Sequence, residues 1–292
     1  MRITDHRIVD IAAAAAQRNQ STVGELSNQV STGLRVSKPS DDPAAWMTAQ
    51  REKVRAALND GTSQVVDAGH ERLVASDGAL STLAGIVSQA RDLAVEGSND
   101  TLSAAARQDI ATQLNSLFDT AVSTANTINA DGEYLFSGEN SLTQPFDMTT
   151  GAYTGDAAAR AVNTGPQATQ IATVPGSGLT AAGGVDILPL IKTLATAMST
   201  NNAATIQSSL GGLVTAVNQL SLLRGQTGAR MAVLETAKTA HDQLATRIQT
   251  SISNGVEIDT VQAASDLAKA SQALSISQSV TTHVLQLLAP SK

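Results

Sequence analysis

Residues 29–45 read QVSTGLRVSKPSDDPAA, a stretch in which one helix ends and another begins. Ser and Asp side chains accept hydrogen bonds from the free N–H groups of a first helical turn, and proline is tolerated there because it has no N–H to lose. Asp42 before Pro43 therefore predicts a helix N-terminus, with Ser40 or Asp41 as the alternative cap. The carboxylate pair could also serve acid-base chemistry or bind a hard cation, but no second ligand cluster accompanies it, so we favour the cap.

On either side of this stretch, small and apolar residues recur at the three-and-four spacing of a helix that packs along one seam. In the first segment they are Ile8, Ile11, Ala15, Asn19, Thr22, Leu26 and Val30. At the other end they are Leu267, Ala270, Leu274, Ser277, Thr281, Val284 and Leu288, with Pro290 closing the run. Both runs carry too little apolar surface to fold alone, so we expect them to pair antiparallel and to be completed by neighbouring copies.

Several more helices are predicted between the two ends, at residues 73–94, 101–128, 187–198, 206–223 and 231–252. Gly211-Gly212 indicates either a break or a point of close packing. His241 lies on one stripe with Leu234 and Ile248, and we interpret it as a seam histidine with its hydrogen bonds satisfied. His70, beside two charged residues, is predicted to be solvated.

Residues 132–184 break this helical pattern. They hold both Tyr residues, two of the three Phe residues, three Pro residues and many Gly and Thr residues. Short alternating runs and turn dipeptides such as Asp131-Gly132 predict β-hairpins and loops. The aromatic residues are predicted to form a core private to this insert: Tyr134, Phe136, Phe146 and Tyr153.

The predicted fold is therefore mainly α, an elongated antiparallel helical bundle or coiled-coil rod formed by both chain ends, with a small β-rich insert. Residues 1–40 with 255–292 are predicted to form a terminal coiled-coil inner domain. Residues 41–131 with 185–254 are predicted to form a helical rod domain, and residues 132–184 the insert.

Composition excludes several classes of function. A net charge of -7 with 15% charged residues provides no basic face for nucleic acid or an anionic membrane. No apolar run approaches the roughly 18 to 20 residues that span a bilayer, and the N-terminal residues lack the pattern of a cleaved secretory signal. With 0 Cys there is no disulfide or thiolate site. No phosphate-binding glycine motif is present, and we predict no catalytic, cofactor-binding or metal residues and no cofactor.

Two groups of motifs resemble a known family. Residues 29–36, followed by KPSDDPA at 38–44, strongly resemble the N-terminal signature of the flagellin family. GEYLFSG at 132–138, with QPFD at 144–147 and GAYTGD at 151–156, is similar to the hook-filament junction subgroup of that family.

The resemblance implies a structural subunit of the bacterial flagellum that joins the hook, through hook-associated protein 1 (FlgK), to the flagellin filament. It also implies self-association in a helical assembly, an export chaperone, type III export without a cleaved signal peptide, and an extracellular location in the flagellum. The alternative is a short flagellin that forms the filament itself. A third hypothesis, an enzyme carried on flagellar architecture, would need catalytic side chains in the insert, which has no His and few charged residues: Glu133, Glu139, Asp147, Asp156 and Arg160.

Overall fold

A computed structural model describes residues 2–288, and the side chains of residues 7–286. Within that range the chain forms six α-helices: α1 Arg2–Thr32, α2 Pro43–Gly97, α3 Ala104–Ala125, α4 Ile187–Ser199, α5 Ala203–Val256 and α6 Thr260–Leu288. The prediction of a mainly α fold is confirmed. The predicted closure of the last helix at Pro290 lies outside the described residues.

Two helices are longer than the sequence pattern predicts. α2 begins at Pro43, far upstream of the predicted stretch, and α5 is one helix where two were predicted. Gly211 and Gly212 do not break α5, and Gly212 is instead a point of close packing. A Cβ built on Gly212 would lie 3.0 Å from Cδ2 of Leu190 in α4, so a larger residue here would push that leucine away.

The chain divides into two compact units. Unit 1 is Met1–Asn59 with Gln243–Lys292, and unit 2 is Asp60–Asp242. The three-part division predicted from the sequence stays a prediction.

Unit 2 holds the large core. Its fully buried side chains come from α2, α3, α4, α5 and the insert, and include Leu73, Leu80, Leu114, Phe118, Leu135, Phe136, Phe146, Leu188, Ile191, Leu213 and Leu220. The insert contains one antiparallel two-stranded sheet, β1 Ala161–Gly165 with β2 Ala168–Ile171, and a 3-10 helix at Gly176–Leu179. Among the described residues it has less strand than the predicted hairpins implied.

The prediction of a private aromatic core in the insert is wrong. Phe136 and Phe146 are 0% and 1% exposed, but they belong to the same apolar cluster as Leu73 of α2 and Phe118 of α3. A segment this short cannot enclose its own aromatic rings, so helical side chains provide the missing walls. The insert is thereby built into the helical core of unit 2.

Unit 1 is thinner. In it α1 packs against α6, and a small cluster lies beside the start of α2 and the end of α5. That cluster consists of Val36, Ala49 and Val256, with Leu34, Ala45, Trp46 and Ile252 packed around it.

Candidate functional site: the terminal helix pair and its base

The stretch 37–45 folds as the cap predicted from the sequence. Asp42 Oδ1 accepts a hydrogen bond from the N–H of Ala45 at 3.0 Å, which makes Asp42 the cap of α2. Asp41 has a different role, since its Oδ2 accepts from the N–H groups of Ser37 and Lys38, each at 3.1 Å. The bond from Ala45 lowers the pKa of Asp42. Asp42 therefore caps α2, and Asp41 stabilises the turn that precedes it.

Beside this cap, the segment between α1 and α2 is bonded to the segment between α5 and α6. The N–H groups of Arg35 and Val36 donate to the carbonyl of Val256 at 2.8 and 3.2 Å, and the N–H of Ile258 donates to the carbonyl of Gly33 at 3.0 Å. Leu34 and Glu257 form an antiparallel bridge. We call residues 33–36 and 255–258, with these contacts, the backbone clamp.

Arg35 adds side-chain contacts to the backbone clamp. Its Nη2 donates to the carbonyl of Gly255 at 2.7 Å, near the C-terminus of α5, where a cation is favoured by the helix dipole. Its Nη1 lies 3.4 Å from Oδ2 of Asp42. One guanidinium thus connects the end of α5 to the cap of α2. Gly33 has a φ of +71°, a conformation that disfavours any residue with a Cβ.

The two helices of the pair run antiparallel, as predicted. Nδ2 of Asn19 lies 3.4 Å from the carbonyl of Ala273, while Leu34 lies opposite Glu257, so the chains pass in opposite directions. The seam of α6 is confirmed: its half-buried side chains include Leu267, Ala270, Leu274, Ser277, Thr281 and Val284. The side chain of Leu288 lies outside the described set.

The predicted seam of α1 is only partly confirmed. Its half-buried residues include Val9, Ala12, Ala15, Ala16, Asn19, Val23, Leu26 and Val30. The prediction is wrong for Thr22, which is exposed, and for Ile8 and Ile11, which are 51% and 67% exposed. The alanines from 12 to 16 are nearly alike on all faces of the helix, so the pattern does not distinguish one face from its neighbour.

The pairing leaves apolar side chains uncovered on both helices. Among the described side chains of α1, none is fully buried, and Ile8 and Ile11 face away from the seam. Among the described side chains of α6, the exposed large apolar residues are Val261, Ile276, Val280 and Leu285. Ile276 and Val280 are four residues apart and so share one helix face. One antiparallel partner therefore does not bury all the large apolar side chains of either helix.

Histidines were the other candidates from the sequence. His241 is buried, with Nε2 3.2 Å from the carbonyl of Thr164 in β1, so its interpretation as a hydrogen-bonded structural residue is confirmed. His70 is half-buried rather than solvated, and its Nε2 lies 3.9 Å from Oε2 of Glu235. His283 is exposed on α6. The side chain of His6 is outside the described set.

The carboxylates of the insert are held as hydrogen-bond acceptors. Burial acts to raise the pKa of Glu133, but hydrogen bonds from Ser141, Arg160 and Arg72 outweigh it and bring the pKa to about 2. Asp156 accepts from the N–H groups of Glu139 and Asn140 at 2.8 and 2.9 Å. Asp147 similarly accepts from the N–H groups of the turn that follows it. The hydrogen bonds from backbone N–H groups also lower the pKa of Asp156 and of Asp147, so all three carboxylates are held in the ionised form by the fold around them.

Metal-binding clusters and membrane-spanning helices are two further classes of site. The described side chains contain no cluster of three or more His, Asp or Glu residues that could hold a metal ion. The helices within residues 2–288 include none with the length and hydropathy needed to cross a membrane.

Comparison with known proteins places these features in context. Residues 7–141 match the family described as the bacterial flagellin N-terminal helical region. The flagellar hook-associated protein 3 of Salmonella typhimurium is 26% identical over 282 residues, which cover 89% of both chains. A flagellin of Clostridium tyrobutyricum is 30% identical over 123 residues, which cover 41% of this chain and 32% of that flagellin.

The fold is also found among solved structures. The crystal structure of FlgL from Xanthomonas campestris matches with a TM-score of 0.62, at 19% sequence identity. The match covers 69% of this chain and 99% of that one. At this identity the likeness establishes the shared fold.

Proposed function

We propose that this chain, which belongs to the flagellin family, is a structural subunit of the bacterial flagellum that joins the hook to the flagellin filament. The observation that carries the proposal is the extent of the sequence match. It spans 89% of the hook-associated protein 3 of Salmonella typhimurium but 32% of the flagellin of Clostridium tyrobutyricum. The chain is therefore of the hook-associated protein 3 (FlgL) type.

The terminal helix pair provides the mechanism of assembly. Ile8 and Ile11 on α1, with Ile276 and Val280 on α6, are left exposed by the pair itself. These side chains are 51% to 67% exposed, so each one that a neighbour covers contributes on the order of 1 to 2 kcal/mol. Copies of this chain, and the adjoining hook-associated protein 1 (FlgK) and flagellin, would supply that cover in a helical array.

Secretion and the lack of catalysis complete the proposal. Family membership supports export through the flagellar type III apparatus with a chaperone, without a cleaved signal peptide, to the extracellular flagellum. A non-enzymatic role is supported by the carboxylates of the insert, since Glu133, Asp147 and Asp156 are bonded within the fold.

A short flagellin remains the second candidate, because the match to the flagellin N-terminal region is shared by both kinds of protein. The two differ in amount. A filament subunit would be the major protein of sheared filaments, whereas a junction subunit would be a trace component at one end.

Deletion of the gene tests the proposal. We expect electron microscopy to show intact hooks without attached filaments, and flagellin to be released into the medium. The same strain carrying the intact gene on a plasmid is the control and should regain filaments. Normal filaments in the deletion strain would contradict the junction role and favour a minor flagellin.

A further inference from the structure

The seam between α1 and α6 contains little that could determine how far one helix slides along the other. Its members are mostly Ala, Val and Leu with a few small polar residues, and those on α1 are all partly exposed. A slide of seven residues moves the helices by about 10 Å and brings similar side chains opposite each other again. The Asn19 contact with the carbonyl of Ala273 is long, at 3.4 Å, and exposed.

The backbone clamp, by contrast, combines backbone hydrogen bonds with contacts that depend on residue type. Three backbone hydrogen bonds and the Arg35 contact with the carbonyl of Gly255 join specific residues at 2.7 to 3.2 Å. Val36 and Val256 on its two sides are 2% and 7% exposed, and Ala263, at the start of α6, is 3% exposed. Burial in the terminal pair is therefore concentrated where the clamp lies.

We propose that the backbone clamp sets the register of α1 against α6, with Arg35 as the side chain that holds it. α1 ends just before the clamp and α6 begins just after it, so a fixed contact there decides which residue of α6 each residue of α1 meets. Counting back from Leu34 to Asn19, and forward from Glu257 to Ala273, covers nearly the same number of residues. The helices thus keep the register that the clamp imposes.

The register determines the surface that the pair presents to neighbours. With the clamp closed, Ile8 and Ile11 are held at a defined height relative to Ile276 and Val280. A slide of one heptad would displace these side chains by about 10 Å and offer a neighbour a different apolar surface. This consequence rests on the proposed assembly function, but the register itself does not.

Spin labels can measure the register in the isolated full-length chain. The chain has 0 Cys, so labels attach only at introduced positions, and Ser27→Cys with Ser265→Cys places them at exposed sites on α1 and α6. Pulsed electron paramagnetic resonance should give one narrow distance for the labelled parent. In Arg35→Met we expect a second group of molecules, in which α1 has slid along α6 by up to about 10 Å and the distance between the labels has changed accordingly. Gly33→Ala strains the turn at φ +71°, so a larger fraction of its molecules should show the changed distance.

Two variants serve as controls. Arg51→Met removes an exposed arginine of α2 whose side chain bonds to Thr48, and it should keep the parent distance. Asn19→Ala should also keep it, because the seam residue is not what sets the register.

Four results would overturn the proposal. They are a parent distance that is already broad, an unchanged distance in both Arg35→Met and Gly33→Ala, a second population in Asn19→Ala alone, and loss of helical circular dichroism from the terminal pair in Arg35→Met. The last would mean that the clamp holds the helices together without selecting their register. None of these results depends on whether the chain joins hook to filament.

Discussion

The terminal pair of unit 1 and the core of unit 2 are both built from helices with seam-like spacing, yet they bury very different amounts of surface. In unit 2, Leu114 and Phe118 of α3 are 0% and 1% exposed. In unit 1, the described side chains of α1 are at best half-buried. The difference lies in residue size and in the number of elements that pack together. Unit 2 combines Leu, Ile and Phe from several elements, whereas the terminal seam joins two helices through Ala, Val and Leu with a few small polar residues. Helical spacing alone therefore does not make an independent core.

The free-energy balance differs accordingly. Ordering a residue costs about 1 to 2 kcal/mol of backbone entropy, and burying an Ala gains far less than burying a Leu or Phe. Unit 2 offsets this cost within one chain. The terminal pair leaves apolar side chains exposed, and their burial adds to its stability only when a neighbour covers them.

Truncating one large side chain in each region should give the largest contrast. Phe118→Ala removes a ring that lies in the shared cluster of unit 2 and below Nζ of Lys192, and should cost about 3 to 5 kcal/mol. Leu26→Ala in the α1 seam, where the side chain is half-buried, should cost about 1 kcal/mol or less. Denaturant unfolding followed by circular dichroism measures both.

Equal losses for Phe118→Ala and Leu26→Ala would contradict the contrast between the two regions. Leu222→Ala is a suitable control, because Leu222 is 62% exposed on α5 and its truncation should change little.

The sequence predicted those parts of the fold that depend on local chemistry. Asp42 caps α2 because capping needs one acceptor a few residues from a free N–H, which the order of residues shows directly. The prediction of the α6 seam is correct because Leu267 and Leu274 are seven residues apart, a spacing that returns to the same face of a helix. On α1, Ile8 and Ile11 were misplaced because the alanine run between them and Asn19 has no preferred face.

Contacts between distant segments were beyond the sequence pattern. Arg72 of α2 forms an ion pair with Glu133 and donates to the carbonyl of Tyr134 at 2.7 Å. Arg160 lies 3.1 Å from the same carboxylate. No spacing rule connects residues this far apart, and Glu133 showed only as one charged group of the insert. The backbone clamp also joins segments that are far apart in the chain, so it has no local signal in the sequence.

Acid should act on unit 2 through Glu133, with a smaller effect than that of Phe118→Ala. Its folded pKa is about 2, below the ordinary value of 4.5, so its contribution is complete above pH 4.5 and is lost as the pH falls through about 2. Glu133→Gln leaves the buried guanidinium of Arg72 without its carboxylate. Because Glu133 is 24% exposed, we expect a loss of about 2 kcal/mol at neutral pH.

The difference between parent and Glu133→Gln should therefore shrink as the pH falls from about 4.5 to 2, when unfolding is measured at each pH. Glu139→Gln, in the same insert, is the matched control and should show no such trend. A difference that stays constant down to pH 2 would mean that Glu133 is not the group whose protonation weakens the contact between α2 and the insert.

The smallest effect is expected for a Gly→Ala substitution, which can be made in both regions. Gly24 of α1 and Gly78 of α2 are exposed helical glycines with nothing within 4 Å of a built Cβ, so Ala fits at either place. Each Gly→Ala change should favour its helix by up to about 1 kcal/mol. We expect α1 and α6 to open without the unfolding of unit 2, so Gly24→Ala should slow amide hydrogen exchange in α1 and α6 and leave the midpoint of the main unfolding transition unchanged.

Gly78 lies in the part of α2 that belongs to unit 2. Gly78→Ala should therefore raise the midpoint temperature of the main unfolding transition, in which unit 2 unfolds cooperatively. Hydrogen exchange by mass spectrometry and thermal circular dichroism, applied to both variants, separate the two responses. If Gly24→Ala raised the main transition as much as Gly78→Ala does, the terminal pair would unfold together with unit 2. The exposed apolar side chains of α1 and α6 would then lie on a preformed surface that neighbours cover without ordering the helices further.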